Sequence, residues 1–385
     1  MVLLRLILKN TLRHRLRTAL TVAGLFVAVL AFGLLQTVVG AWYAGAENAS
    51  SARLVTRNAI SLVFPLPLTY RPKLAAIDGV RATTHANWFG GIYKEAKNFF
   101  PQFAVDTETY FKLYPEYLLS EDALRSFQRD RRGAVVGRKL AERYGFKVGD
   151  TVTLKGTIFP GNWEFIVRGI YDGRDAKTDT NQFFLHWNYV NEVMKKTIPR
   201  RANSVGVYVL EIDDPSRAAQ ISLEADRLFK NSQAETLTET EQAFQLGFVS
   251  MTEAIVMAIR AVSYLVILII LAVMANTLSM TARERTREYA TLKALGFAPG
   301  FIVALIMGES LTLALIGGGL GMAALLPIAQ AFGTAMGSLF PVFYVSSSTL
   351  FAQLVCALAV GVIAAIAPAV SAARVNIVNG LRHVA

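Results

Sequence analysis

The residues best suited to do chemistry in this sequence fall in one short run, Thr281 to Gly300. There Arg283, Glu284, Arg285, Arg287, Glu288 and Lys293 alternate in sign. Arg283 and Arg287, and likewise Glu284 and Glu288, stand four apart, so on a helix they form two adjacent charged stripes. That arrangement suits recognition of a complementary charged surface, with Leu292, Leu295 and Gly296 shaping the end of the helix. It holds no nucleophile set beside a base, so it does not read as a catalytic group. A second candidate is Glu309, a carboxylate inside the apolar run IMGESLTLAL. Such a group either serves a proton or substrate path or pairs with a base or backbone group near an interface, and the scarcity of other charges favours pairing. A third is the glycine run Gly317, Gly318, Gly319 and Gly321. No G-x-x-x-x-G-K-[ST] occurs in the chain and the run lies within an apolar segment, so close helix packing explains it better than phosphate binding. Cys356 and four scattered histidines, His14, His85, His186 and His383, offer no metal-ligand spacing.

The elements that must position these groups are membrane helices. Of 385 residues, 53% are hydrophobic and only 17% charged, outside the range of an ordinary soluble domain. Four apolar segments, 18–42, 258–280, 301–332 and 350–371, are long enough to span a bilayer. The first is too long for the apolar core of a cleavable signal and is expected to be retained. The net charge of +11 is concentrated in residues 1–18, 281–300 and 372–385, which together hold +9 of it. Basic clusters at the ends of apolar stretches follow the positive-inside pattern and argue against a nucleic-acid partner. They place both termini and the 281–300 loop in the cytoplasm, and residues 43–250 outside it.

Residues 1–17 carry Arg5, Lys9, Arg13 and Arg17 at helical spacing, beside a stripe of Leu4, Leu8, Leu12 and Leu16. The spacing predicts a cytoplasmic amphipathic helix on the inner leaflet, in contact with membrane lipid. The outer region reads as mixed α and β in two subdomains. Strands are expected at Ala59–Val63, Ala134–Val136, Thr151–Leu154, Glu164–Ile170 and Ser204–Glu211, and helices at Gly137–Tyr144 and Ser216–Asn231. Apolar residues from Leu237 to Val262 recur at helical intervals, predicting one helix over 237–280, about 66 Å long, that leaves the bilayer as a stalk. Gly247 is the expected weak point of that helix. The fold class is therefore membrane α-helical, with four transmembrane helices, a large α+β extracytoplasmic domain between the first and second, and a helical stalk.

The run Asn276, Arg283-Glu284-Arg285-Thr286-Arg287-Glu288, Leu292-Lys293-Ala294-Leu295-Gly296 and Glu309-Ser310 resembles the loop of FtsX-like and MacB-like permeases of ABC transporters. The closing segment Pro368 to Arg382 and the stretch Ala134 to Leu154 extend the resemblance, the latter to the MacB-type periplasmic core. Tyr289 and Thr291 depart from it, standing where many relatives have small aliphatic residues. The resemblance implies a 43–250 core domain with stalk and a 251–385 permease domain ending in a cytoplasmic tail, in a bacterial inner membrane. It implies a homodimer whose 281–300 loops couple to a separate ABC ATPase, so ATP and Mg are bound by that partner and no cofactor by this chain. It implies mechanotransmission, with the outer domain acting in efflux through a periplasmic adaptor and outer-membrane channel. The alternatives are lipoprotein extraction, and, from another class, a membrane-anchored sensor; the sensor is disfavoured because only short cytoplasmic pieces exist.

Overall fold

The computed structural model describes residues 2–11, 13–337 and 339–377. Leu12 of the leader and the end of the closing segment, through Arg382, lie outside the described residues. In chain order the principal helices are α1 (Val2–Thr11), α2 (Arg15–Asn48), α3 (Glu241–Ser250), α4 (Glu253–Glu284), α5 (Thr286–Ala294), α6 (Pro299–Ala335) and α7 (Ser347–Ala373). Of these, α2, α4, α6 and α7 are long and apolar enough to cross a membrane. The chain divides into two units, one of residues 1–42, 252–335 and 343–385, the other of residues 43–251 and 336–342.

The first unit is a helical bundle whose core includes Leu25 and Ala28 of α2, Met274 and Leu278 of α4, Leu305 and Leu313 of α6, and Ala364 and Ala365 of α7. Between helices already surrounded by apolar matter, packing rests on close approach rather than on water exclusion. The glycines of α6 supply that approach. A Cβ on Gly317 would lie 2.6 Å from the Leu25 Cβ, and one on Gly318 2.7 Å from the Ala357 Cβ. Two polar bonds cross the same seams: Gln353 Nε2 donates to the Val29 carbonyl at 2.8 Å, and Ser310 donates to the Gly361 carbonyl. The leader helix α1 also packs within the bundle. Ile7 is buried and lies where a side chain on Gly308 of α6 would be.

The second unit is built on an eleven-stranded mixed sheet. Its order is Thr236–Thr240, Arg53–Asn58, Val207–Ile212, Val80–Trp88, Gln102–Val105, Phe183–His186, Gly133–Gly137, Gly161–Gly173, Thr151–Gly156 and Gly91–Tyr93, with Tyr117–Leu118 paired to Gly161–Gly173. Two apolar cores form, one around Phe89, Phe165 and Phe183, the other around Phe111, Phe127 and Phe184. Phe183 and Phe184 are strand neighbours, so the alternation of side chains sends one to each core. The sheet is continuous from end to end, so the expected pair of subdomains is one unit.

Three of the four matching strand expectations lie inside observed strands; Ser204–Glu211 is split at Gly206. The expected strand at Ala59–Val63 does not form. The strand is Arg53–Asn58, and Ile60 and Val63 are among the most exposed side chains of the unit. The single helix over 237–280 is also corrected. Leu237 belongs to a strand and pairs with Arg57, Thr240 caps α3 by accepting from the Ala243 amide at 3.2 Å, and the break falls at Met251–Thr252 rather than at Gly247. The register of a strand and the first turn of a helix both satisfy an apolar residue at 237, and the neighbouring strand decides for the former.

Arg53 ties the entrance and exit of this unit together. Its Nε donates to Glu241 at 2.7 Å, its Nη2 to Glu116 at 2.6 Å and its Nη1 to the Leu113 carbonyl at 3.0 Å, with the guanidinium 4.3 Å above the Tyr114 ring. Glu241 also accepts from the Ser50 amide at 2.9 Å. The first strand after α2 and the first turn of α3 therefore share one carboxylate. The 336–342 turn joins the unit through Lys139, which donates to the Pro341 carbonyl at 3.1 Å, and Asn181, which donates to the Gly337 carbonyl at 3.4 Å.

Candidate functional site

The candidate site is α5 with the ends of α4 and α6 that flank it. The helix ends at Leu295, where Gly296 adopts φ +91, a left-handed backbone that side chains disfavour. The Phe297 amide donates to the Leu292 carbonyl at 3.1 Å and the Gly296 amide to the Lys293 carbonyl at 3.0 Å. This paired closure satisfies carbonyls that the helix end would leave open. Gly296 is thus a stop signal, and nothing crowds it otherwise.

One face of α5 is occupied by the protein itself. Arg285 and Glu309 form an ion pair at 2.7 Å, with side chains only 9% and 8% exposed. Arg285 also donates to Glu288 at 2.9 Å and its guanidinium lies 5.4 Å from the Tyr289 ring. Tyr289 is buried, and burial pushes its phenol up to about 12. Its ring gives the guanidinium a polarisable wall that a small aliphatic residue lacks. Glu288 is shared with Arg13. Burial would raise its carboxyl, but hydrogen bonds from Arg285 and Arg13 outweigh that and hold it below the ordinary glutamate range. Arg17 grips Glu284 with two bonds, at 2.7 and 2.9 Å, and reaches Thr281 at 3.1 Å. Lys293 turns to the end of α7, donating to the carbonyls of Ala373 at 2.6 Å and Val375 at 2.8 Å. A cation at these carbonyls is favourable, because the helix dipole is negative there.

The other face is open. Arg283, Arg287, Thr291, Leu295 and Phe297 are exposed, Leu295 at 71%, while Leu292 is half-buried. The residues singled out in the sequence therefore separate. Arg283, Arg287, Leu295 and Gly296 lie on the open side. Arg285, Glu288 and Lys293 hold α5 to its neighbours, and Glu284, though exposed, is bound to Arg17. Of the base or backbone group expected to meet Glu309, it is a base, Arg285, which the sequence had put on the docking surface. Arg13, Arg17 and Tyr289 were not expected in this group. A signal existed for the first two, since bases at 13 and 17 and acids at 284 and 288 share the same four-residue spacing.

The sequence of this chain matches two family models, the MacB-like periplasmic core domain over residues 18–228 and the FtsX-like permease C-terminal domain over residues 260–377. It is 25% identical to an uncharacterized ABC transporter permease of Methanocaldococcus jannaschii, over 97% of this chain and 96% of the relative. It is 25% identical to an uncharacterized ABC transporter permease protein of Mycobacterium tuberculosis, over 68% of this chain but only 30% of that longer relative. The extracellular domain of the noncanonic ABC-type transporter YknZ from Gram-positive bacteria overlaps 49% of this chain and all of its own, at 12% identity and a TM-score of 0.36. One model matches more than half of the chain and the other most of the remainder, so the chain belongs to the FtsX-like, MacB-like permeases, the multi-pass membrane component of ABC transporters and not their catalytic one.

Proposed function

We propose that this permease is a mechanotransmission subunit in which a separate ABC ATPase docks on the open face of α5 and drives shape change in the outer unit. The reading rests on one observation: the α4–α5 segment is exposed on the side of Arg283, Arg287, Leu295 and Phe297, while its other side is bonded to α6 and α7 and to the leader through Arg285, Lys293 and Glu288, and to α2 through Glu284 at the end of α4. A load applied to the open face is thereby delivered to several membrane helices at once. ATP and Mg reside in the ATPase. Two copies of this chain act with two ATPase chains in a bacterial inner membrane, with the leader and the α4–α6 loop cytoplasmic and the mixed sheet outside. The outer unit then works on an adaptor in efflux, and cargo does not pass between the spans.

The test reverses two charges that bond nothing else in the described fold, Arg283→Glu with Arg287→Glu. The expected result is loss of ATPase recovery when the tagged permease is purified in mild detergent, and loss of permease-stimulated ATP hydrolysis, with the chain still monodisperse. Unchanged recovery and turnover would refute the docking face. Co-purification of an adaptor supports efflux, and co-purification of a lipoprotein in its place would overturn it.

A further inference from the structure

An open cleft of about 580 Å³ lies between the start of α2 and the second half of α4. Its walls include His14, Arg15 and Arg17 at one end and Leu20, Val273 and Thr277 beyond them, and no acidic residue lines it. Arg17 is held in place by Glu284. The His14 and Arg15 side chains are exposed and make no hydrogen bond among the described residues, though His14 lies near enough to Glu284 to act on that carboxylate. The first-turn amides of α2 carry the positive end of that helix's dipole. The site therefore offers charge of one sign at its mouth and an apolar wall leading along two membrane helices.

We infer that this cleft binds the phosphodiester headgroup of an anionic membrane lipid, with the acyl chains lying along the apolar surface of α2 and α4. Phosphate is the shared chemistry that His14, Arg15 and the helix start would recognise, and it could come from a lipid or from a free anion. The apolar wall selects the lipid: Leu16, Leu20 and Val273 are 76%, 65% and 51% exposed, which is a surface for hydrocarbon and adds nothing to a free anion. Basic groups between membrane helices are an established way of holding such headgroups. The leader then serves two partners, through Arg13 and Arg17 the acids Glu288 of α5 and Glu284 of α4, and through His14 and Arg15 the lipid.

The experiment reconstitutes the full chain in nanodiscs containing a trace of spin-labelled phosphatidylglycerol or phosphatidylcholine, and measures the motionally restricted fraction of each. The wild type is expected to prefer phosphatidylglycerol. Arg15→Gln, combined with His14→Gln to remove the imidazole, is expected to lower that preference by about fivefold, the worth of the one arginine. Inorganic phosphate, added at the same bulk concentration as lipid, should not displace the label. No preference in the wild type, or an equal preference in the variant, overturns the assignment. Displacement by inorganic phosphate also overturns it, showing a soluble-anion site instead. A Leu20→Gln variant separates the two contributions: it should weaken lipid retention while leaving any free-anion binding unchanged. Exclusion of both labels would show that a second copy of the chain covers the cleft, which is likewise a refutation. None of these readouts depends on the ATPase.

Discussion

Replacing Glu309 by Gln tests whether the link between α5 and α6 is an ion pair under strain of burial or an incidental contact. At 2.7 Å the direct attraction is about 6 kcal/mol for an effective dielectric of about 20. Desolvation of two nearly buried charges cancels most of it, so the intact pair contributes little net stability. Breaking it is another matter, because Arg285 then remains buried with only Glu288, whose side chain is 40% exposed and therefore screened. We expect a loss of about 3 kcal/mol, at the lower end for a broken buried pair. Arg285→Met should cost as much, by stranding Glu309. Arg285→Met combined with Glu309→Leu should lie within about 1 kcal/mol of the wild type, since no charge is left uncompensated. The assay is thermal unfolding of the purified chain in a fixed detergent, followed by size exclusion. For a unit of this size each single change should lower the midpoint by about 6–12 °C. The reasoning fails if both single variants stay within about 2 °C of the wild type, or if the double variant is less stable than either.

Further outcomes follow from other parts of the fold. Gly317→Ala should destabilise the bundle by about 1–3 kcal/mol, since its Cβ would meet Leu25 at 2.6 Å, whereas Gly319→Ala, with nothing within 4 Å, should gain about 1 kcal/mol; paired melts compare them. Glu241→Gln should raise amide exchange in both Arg53–Asn58 and α3, because each element loses its share of that carboxylate. Lys293→Ala should raise exchange at the end of α7, around Val370 to Val375, without altering α4. His85 is buried with neither ring nitrogen bonded, and burial lowers its folded value to about 4. The unfolded chain binds the proton more tightly, so stability is full above about pH 6.5 and falls as pH drops towards 4, by up to about 3 kcal/mol. His85→Leu should flatten that part of the stability profile, and an unchanged slope would assign the acid sensitivity elsewhere.

The four apolar helices were legible because hydropathy over some twenty residues is a local property; that Glu309 is paired was also expected, but its partner was not legible, since a base and a backbone group were both open and Arg285 read as a docking residue. The outer strands at Gly133–Gly137 and Thr151–Gly156 were legible for the same local reason. Arg53–Asn58 was not: its two arginines look like surface residues, and only pairing with strands more than 150 positions away makes Arg53 a buried residue. The apolar run Ala59–Val63 misled in the opposite sense, being attractive in composition and without a neighbouring strand to complete it. At the candidate site, charge spacing marked the 283–293 charges as one group but revealed neither which way they faced nor that Arg13 and Arg17 belonged with them. The inward turn of Arg285 depends on Glu309, and that of Glu288 on Arg13, 275 positions away.

The division of α5 into a bonded face and an open one bears on how such a subunit diversifies. If an ABC ATPase docks there as proposed, substitutions at Arg283, Arg287, Leu295 or Phe297 would change what is recognised and leave the internal connections intact, so an exchange of ATPase partner would require no compensating change in the membrane helices. Substitutions at Arg285, Glu288 or Lys293 disturb the connections and leave the recognised surface in place. Under the proposed docking, two selective pressures, compatibility with a partner and fidelity of transmission, would act on different residues of the 283–297 segment and could be satisfied independently.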